Sequence, residues 1–125
     1  MKGRNKLTRK LNKDLARLGD AIVNFIISAA LTVFYQKPVG LKVKNDILKK
    51  AWLSVYGRSG IRRGLMAPQD LAEAYIAYLW LNGELDLDNA IKQCARKIIK
   101  FNPISREEVE MVIQMCIEEL LKTGQ

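Results

Sequence analysis

Histidine is absent from all 125 residues. That excludes Ser–His and Cys–His nucleophilic machinery, imidazole acid–base chemistry and His-containing zinc sites. Catalysis would have to use carboxylates, Lys, Tyr, Cys or a hard metal. Cysteine is scarce too. Cys94 and Cys116 are too few for a disulfide scaffold. With 8 Gly and 3 Pro, the chain lacks the frequent turns of a β-sandwich or barrel. The longest apolar stretch, Ala21 to Phe34, is interrupted by Asn24, Ser28 and Thr32. It falls short of the about 20 apolar residues of a membrane span. The first residues, Met-Lys-Gly-Arg-Asn-Lys, lead into no secretory apolar segment. The expectation is a soluble cytoplasmic protein with reduced thiols and no membrane partner.

What is present is an apolar core in waiting. Hydrophobic residues make up 49% and charged residues 27% of a chain the length of a single domain, 1–125. Net charge is +8 and unevenly spread. Residues 1–63 hold 15 Lys and Arg against 3 Asp and Glu, net +12; residues 64–125 hold 6 against 10, net −4. A basic half on a small domain suggests a polyanion, with nucleic acid first and an anionic membrane surface second, beside plain solubility. The segment 1–13 is basic throughout, with Lys2, Arg4, Lys6, Arg9, Lys10 and Lys13.

Periodicity predicts an all-α fold of about five main helices. Leu15, Leu18, Ile22, Phe25, Ile26, Ala29 and Val33 recur at spacings of three and four. They predict a long helix over 12–35, apolar over much of its circumference and therefore central. Pro38 and Gly40 end it. A second helix is expected from Asn45 as cap, with Ile47, Leu48, Ala51, Trp52 and Val55 inward. Gly57 to Gly64 reads as a basic loop. A third helix starts near Pro68 and stops at Asn82-Gly83. A fourth covers 88–101, with Ile99 among its inward residues. The fifth opens on Ser105 with Glu108 three residues on, a capping box. Both cysteines fall on apolar faces, as small core residues do.

Two acidic stretches stand out. Leu18-Gly19-Asp20-Ala21 puts a carboxylate inside the most apolar helix. A buried unpaired charge is costly there, and Gly19 suggests close approach of another element. Alternatively, Asp20 belongs to a polar stripe and pairs with Arg17 one turn back. Asp70-Leu-Ala-Glu73 sets two carboxylates on one helix side. The same spacing is also that of Asp at an N-cap with Glu at the third helical position, which favours the cap when the stretch is taken alone.

Together these stretches resemble the nuclease domain of ribonuclease III. Leu18-Gly19-Asp20-Ala21 is similar to its Leu-Gly-Asp-Ala/Ser signature. Asp70 and Glu73 are similar to its second acidic pair, followed by Tyr78-Leu79-Trp80-Leu81-Asn82-Gly83. Val43-Lys44-Asn45-Asp46-Ile47-Leu48 resembles the start of the intervening helix. The likeness covers about 11–101 and, more loosely, the last helix. Departures are specific. Ala16 stands where the signature has a glutamate, Lys13 replaces an earlier one, and 37–40 lacks a further acid. Alanine at that position is similar to the Mini-III branch, which has no double-stranded-RNA-binding domain.

The resemblance implies a homodimeric, Mg²⁺-dependent endoribonuclease acting on double-stranded or structured RNA, with Mn²⁺ as substitute metal. Asp20, Asp70 and Glu73 are the implied ligands and catalytic residues. Duplex RNA is read through its backbone, so Lys42, Lys44, Lys49, Arg58, Arg62 and Arg63 are the expected RNA contacts. The alternative is a catalytically inactive module of the same fold that binds structured or ribosomal RNA, which Ala16 favours. A third reading is a helical interaction protein whose acids only cap.

Overall fold

The computed structural model describes residues 10–58 and 66–123. Arg62, Arg63 and residues 1–9 of the basic amino-terminal segment lie outside them. The described residues form five helices and no strand: α1 (Lys13–Tyr35), α2 (Asn45–Tyr56), α3 (Pro68–Leu81), α4 (Leu87–Phe101) and α5 (Arg106–Leu121). The all-α class and the five expected helices are observed.

Two of their caps differ from expectation. Asn12 caps α1, its side chain accepting from the Leu15 N–H. Asn45 is not a cap but the first helical residue of α2, whose N-cap Lys44 makes no side-chain cap bond. α3 begins at Pro68, as expected and two residues before Asp70, with Ala67 as N-cap and again no side-chain cap bond. Asp70 and Glu73 are therefore inside the helix, and the capping-box reading of that pair is overturned. Ser105 and Glu108 do form the reciprocal box at α5.

The central helix is α3, not α1. Leu71 through Ala77 are all buried, because α1 packs on one side of α3 and α2 on another. Small Ala72, Ala74 and Ala77 permit that closeness. α4 lies against α1, and α5 closes on α2 and α4. Trp52, Tyr56 and Tyr75 form an aromatic cluster between α2 and α3, and the Tyr56 hydroxyl donates to the Leu121 carbonyl at 2.8 Å. Cys94 and Cys116 are both free and buried.

α1 seals Val23, Ile26, Ile27 and Leu31 in the core. Its full 23 residues have the length and apolarity to cross a bilayer, more than the stretch from Ala21 to Phe34 suggests. Its outer face is open. Phe25 and Val33, expected inward, are 55% and 52% exposed, and Ile99 on α4 is also exposed. Trp52 is buried as a large aromatic should be, whereas Trp80 and Phe101 are not.

Candidate functional site

The site rests on one crossing. At Gly19, α1 comes so close to α3 that a Cβ there would overlap the Glu73 backbone carbonyl. Only glycine fits, which is why a residue unfavourable in helices sits in mid-helix. The crossing sets Asp20, the next residue, beside the Glu73 side chain. Glu73 is only 6% exposed, and it is the sole buried charged residue among those described. Asp70, one turn earlier on α3, joins the rim.

Asp20, Asp70 and Glu73 line one open pocket of about 360 Å³ with Lys13, Ala16, Arg17, Lys42 and Asn45. Burial, then the hydrogen bond and charge of Asp20, push Glu73 up to about 8. Protonated Glu73 thus donates to ionised Asp20. The Asp20 carboxyl is held below its ordinary range, chiefly by its hydrogen bond from Lys42 and further by those from Glu73 and Asn24. Two carboxyl groups sharing a proton in a polar cleft are a common mark of a functional site.

Two lysines answer the acids. Lys42 Nζ lies 2.9 Å from Asp20 Oδ1 and Lys13 Nζ 2.9 Å from Asp70 Oδ2. Arg17, the sequence's alternative partner for Asp20, pairs instead with Asp14 at 3.0 Å. Lys42 arrives by a zipper that sequence reading missed. Asp20, Asn24, Ser28 and Thr32 fall at four-residue intervals, on one stripe of α1. Asn24 Oδ1 accepts from the Val43 N–H at 2.8 Å, Ser28 Oγ from the Leu41 N–H at 3.0 Å, and Thr32 Oγ1 from the Val39 N–H at 2.9 Å. The same Asn24 donates to Asp20 at 3.2 Å. Segment 39–43 is thereby laced to α1, and Lys42 is delivered over the acids. The signal was visible as the polar interruptions of an apolar run.

None of the other expected RNA contacts among the described residues lines this pocket. Lys44 pairs with Glu110 at 2.6 Å. Lys49 and Arg58 are exposed. Arg62 and Arg63 fall outside the described residues.

As the side chains stand, no three acids among the described residues converge closely enough to hold a metal ion. The donor chemistry nevertheless fits a hard cation. Asp20 and Glu73 are adjacent oxygen donors. Magnesium typically uses one or two carboxylates, with water and phosphate oxygens completing its shell. Asp70 is held off by Lys13, and Ala16 contributes no donor.

The sequence profile of the family described as Ribonuclease III matches residues 13–123. No curated protein matches the chain.

Proposed function

Because this chain belongs to the ribonuclease III family, which ties it to an RNA-cleaving or RNA-binding role, we propose that it is an endoribonuclease. It hydrolyses phosphodiester bonds of double-stranded or structured RNA at the pocket of Asp20, Glu73 and Asp70. One observation carries this reading: the Gly19 crossing forces carboxyl groups from two helices together in one pocket, one of them buried. Such a pair costs stability, and neither a cap nor a core role accounts for it.

Asp20 and Glu73 would hold Mg²⁺, or Mn²⁺ in its place, and Asp70 would join once Lys13 releases it. Bound there, the ion would supply an activated water and neutralise charge at phosphorus. The remaining work belongs to the chain. With a cation bound, Glu73 would be ionised, its proton passing to solvent. Lys42, which lines the pocket, would face a phosphate oxygen. Lys49 and Arg58, with Arg62 and Arg63, supply backbone contacts, so affinity falls steeply with salt and depends little on sequence.

The protein works in the cytoplasm as a two-fold dimer. Phe25 and Val33 leave an apolar strip on α1 that a second copy would cover. A non-catalytic RNA-binding role is the competing reading. It is favoured by Ala16 at the pocket wall and by Lys13 on Asp70.

The test is incubation of the chain with end-labelled duplex RNA and Mg²⁺, with and without chelator. Chelator-sensitive cleavage that disappears in Asp20→Asn, with RNA binding retained, supports hydrolysis. Binding without cleavage, unchanged by Ala16→Glu, establishes the competing role instead.

A further inference from the structure

A second pocket, of about 420 Å³, adjoins the acid pocket and shares Lys42 with it. Its character is different. Leu41, Ile47 and Ile113 give it an apolar floor, and Tyr35 stands at its side. Tyr35 is 43% exposed, with its ring set edge-on to Phe34 at a centroid distance of 4.9 Å. It is thus an aromatic surface held in place yet open to a ligand. Three cations, Lys42, Lys44 and Arg106, line the pocket against the single carboxylate of Glu110. Lys44 is tied to Glu110 and Lys42 to Asp20. Arg106 makes no ion pair among the described residues.

The geometry points to a seat for one unpaired nucleotide of bound RNA, its base on Tyr35 and the aliphatic floor and its phosphate on Arg106 and Lys42. The volume lies within the roughly 300–1,000 Å³ of small-ligand pockets. Apolar lining beside a ring suits the face of a base, and a free guanidinium beside it suits phosphate. An apolar side chain from a second copy would use the floor but not the cations. A base within a duplex cannot reach such a floor; only a bulged, looped or flipped nucleotide can. The inference rests on the hydrolytic reading for its biological sense. The pocket would make the protein prefer duplexes carrying an unpaired nucleotide near the cut.

Two arms separate the pocket from the chemistry. In the first, the full chain is titrated in ¹⁵N-resolved NMR with adenosine 5′-monophosphate, ribose 5-phosphate and inorganic phosphate. The nucleotide should shift the amides of Tyr35, Ile47 and Ile113 and bind roughly tenfold more tightly than ribose 5-phosphate, the share a stacked base contributes. Tyr35→Ala should remove that difference, and Arg106→Gln should weaken all three phosphates together. Equal binding of the three ligands overturns the proposal. So do shifts in this pocket that follow protein concentration without nucleotide, since these identify a second copy as occupant. In the second arm, Tyr35→Ala should slow cleavage of a duplex with one unpaired nucleotide about tenfold and spare a fully paired duplex. Equal slowing of both overturns the preference. If wild type cleaves neither RNA, the hydrolytic reading falls, and the mononucleotide titration still decides the pocket.

Discussion

Two helix starts in this chain carry the same acidic spacing and use it in opposite ways. At α5, Ser105 and Glu108 close a reciprocal cap. Glu108 is exposed and accepts from the Ile104 and Ser105 N–H groups at 2.9 and 3.1 Å, and these bonds hold its carboxyl below the ordinary range. At α3, Asp70 and Glu73 have the same separation, but the helix has already begun at Pro68. The third residue of the pattern is therefore one turn deeper, at the Gly19 crossing. There Glu73 loses water, gains Asp20 as neighbour and keeps its proton. A spacing of three defines a shared helix side; where the helix starts decides whether that side faces the backbone ends or another helix.

The comparison breaks most visibly in activity. Glu73→Gln keeps the shape and removes the charge that would hold a cation, so chelator-sensitive cleavage should fall on the order of a thousandfold, as losing a group that stabilises a transition state does. Glu108→Gln should leave cleavage unchanged. Equal effects of the two on initial rates would put Glu73 back among the caps.

The next largest effect is on stability. Gly19→Ala adds a Cβ where the Glu73 backbone already lies, and neither helix can yield a flexible tip. Separating α1 from α3 should cost roughly 3 kcal/mol or more, at the upper end of overpacking. Gly40→Ala, which meets nothing within 4 Å, is the control. Urea midpoints of the two variants measure the difference. An equal, small shift in both would mean that the crossing relaxes freely.

Much of the fold was legible in the sequence because helices announce themselves by period and by their breaks at Pro38, Gly40, Asn82 and Pro103. The α5 cap was readable because everything it needs lies within four residues. The α3 start was readable from Pro68, but Asp70 and Glu73 still imitated a cap, because Ala67 at the true cap position carries no capping side chain. The rank of the helices was misread for a related reason. Apolar residues on both inner and outer faces of α1 imitate full burial, whereas α3 is central because its alanines let neighbours approach. At the site, Gly19 and Asp20 signalled a tight, charged crossing. Lys42 and Lys13 gave no such signal, since pairs 22 and 57 residues apart in sequence exist only once segment 39–43 is zipped to α1 and α1 is packed on α3.

Titration sharpens the contrast between the two glutamates. Glu73 holds its proton to about 8 in the folded chain against 4.5 as a free side chain. Below 4.5 both folded and unfolded states are protonated and Glu73 makes no difference. Between 4.5 and about 8 the unfolded chain ionises first, so metal-free stability falls as pH rises, and the loss is complete above about 8. At ~1.4 kcal/mol per unit the ceiling is a few kcal/mol. Asp20 and Glu108 have the opposite sign: their stabilisation is present above their free values and lost as pH falls through the folded ones, below 3.8 and 4.5. Glu73→Gln should therefore flatten the decline from 4.5 to 8, and Mg²⁺ should do the same in wild type by taking the place of the proton. Denaturant melts across that range, with metal and with chelator, test both. A wild-type profile already flat without metal would remove the shared proton.

The smallest effects expected are at the cap and at Asp70. Ser105→Ala removes the acceptor of the Glu108 N–H at 3.1 Å but leaves that N–H at an exposed helix end, where water replaces the lost bond. The cost should be about 1 kcal/mol, the usual worth of an N-cap hydroxyl. Asp70→Ala probes the same spacing at α3 with the opposite sign of reasoning. No cap bond is lost there; Lys13 is released from an ion pair whose lysine is two-thirds exposed, and one of three facing carboxylates disappears from the rim of the Glu73 pocket. Metal-free stability should change by less than about 0.5 kcal/mol, because solvent-screened pairs contribute little. A loss at Asp70 as large as the loss at Ser105 would return the α3 acids to a capping role, and with them the strongest argument that this pocket exists to hold something.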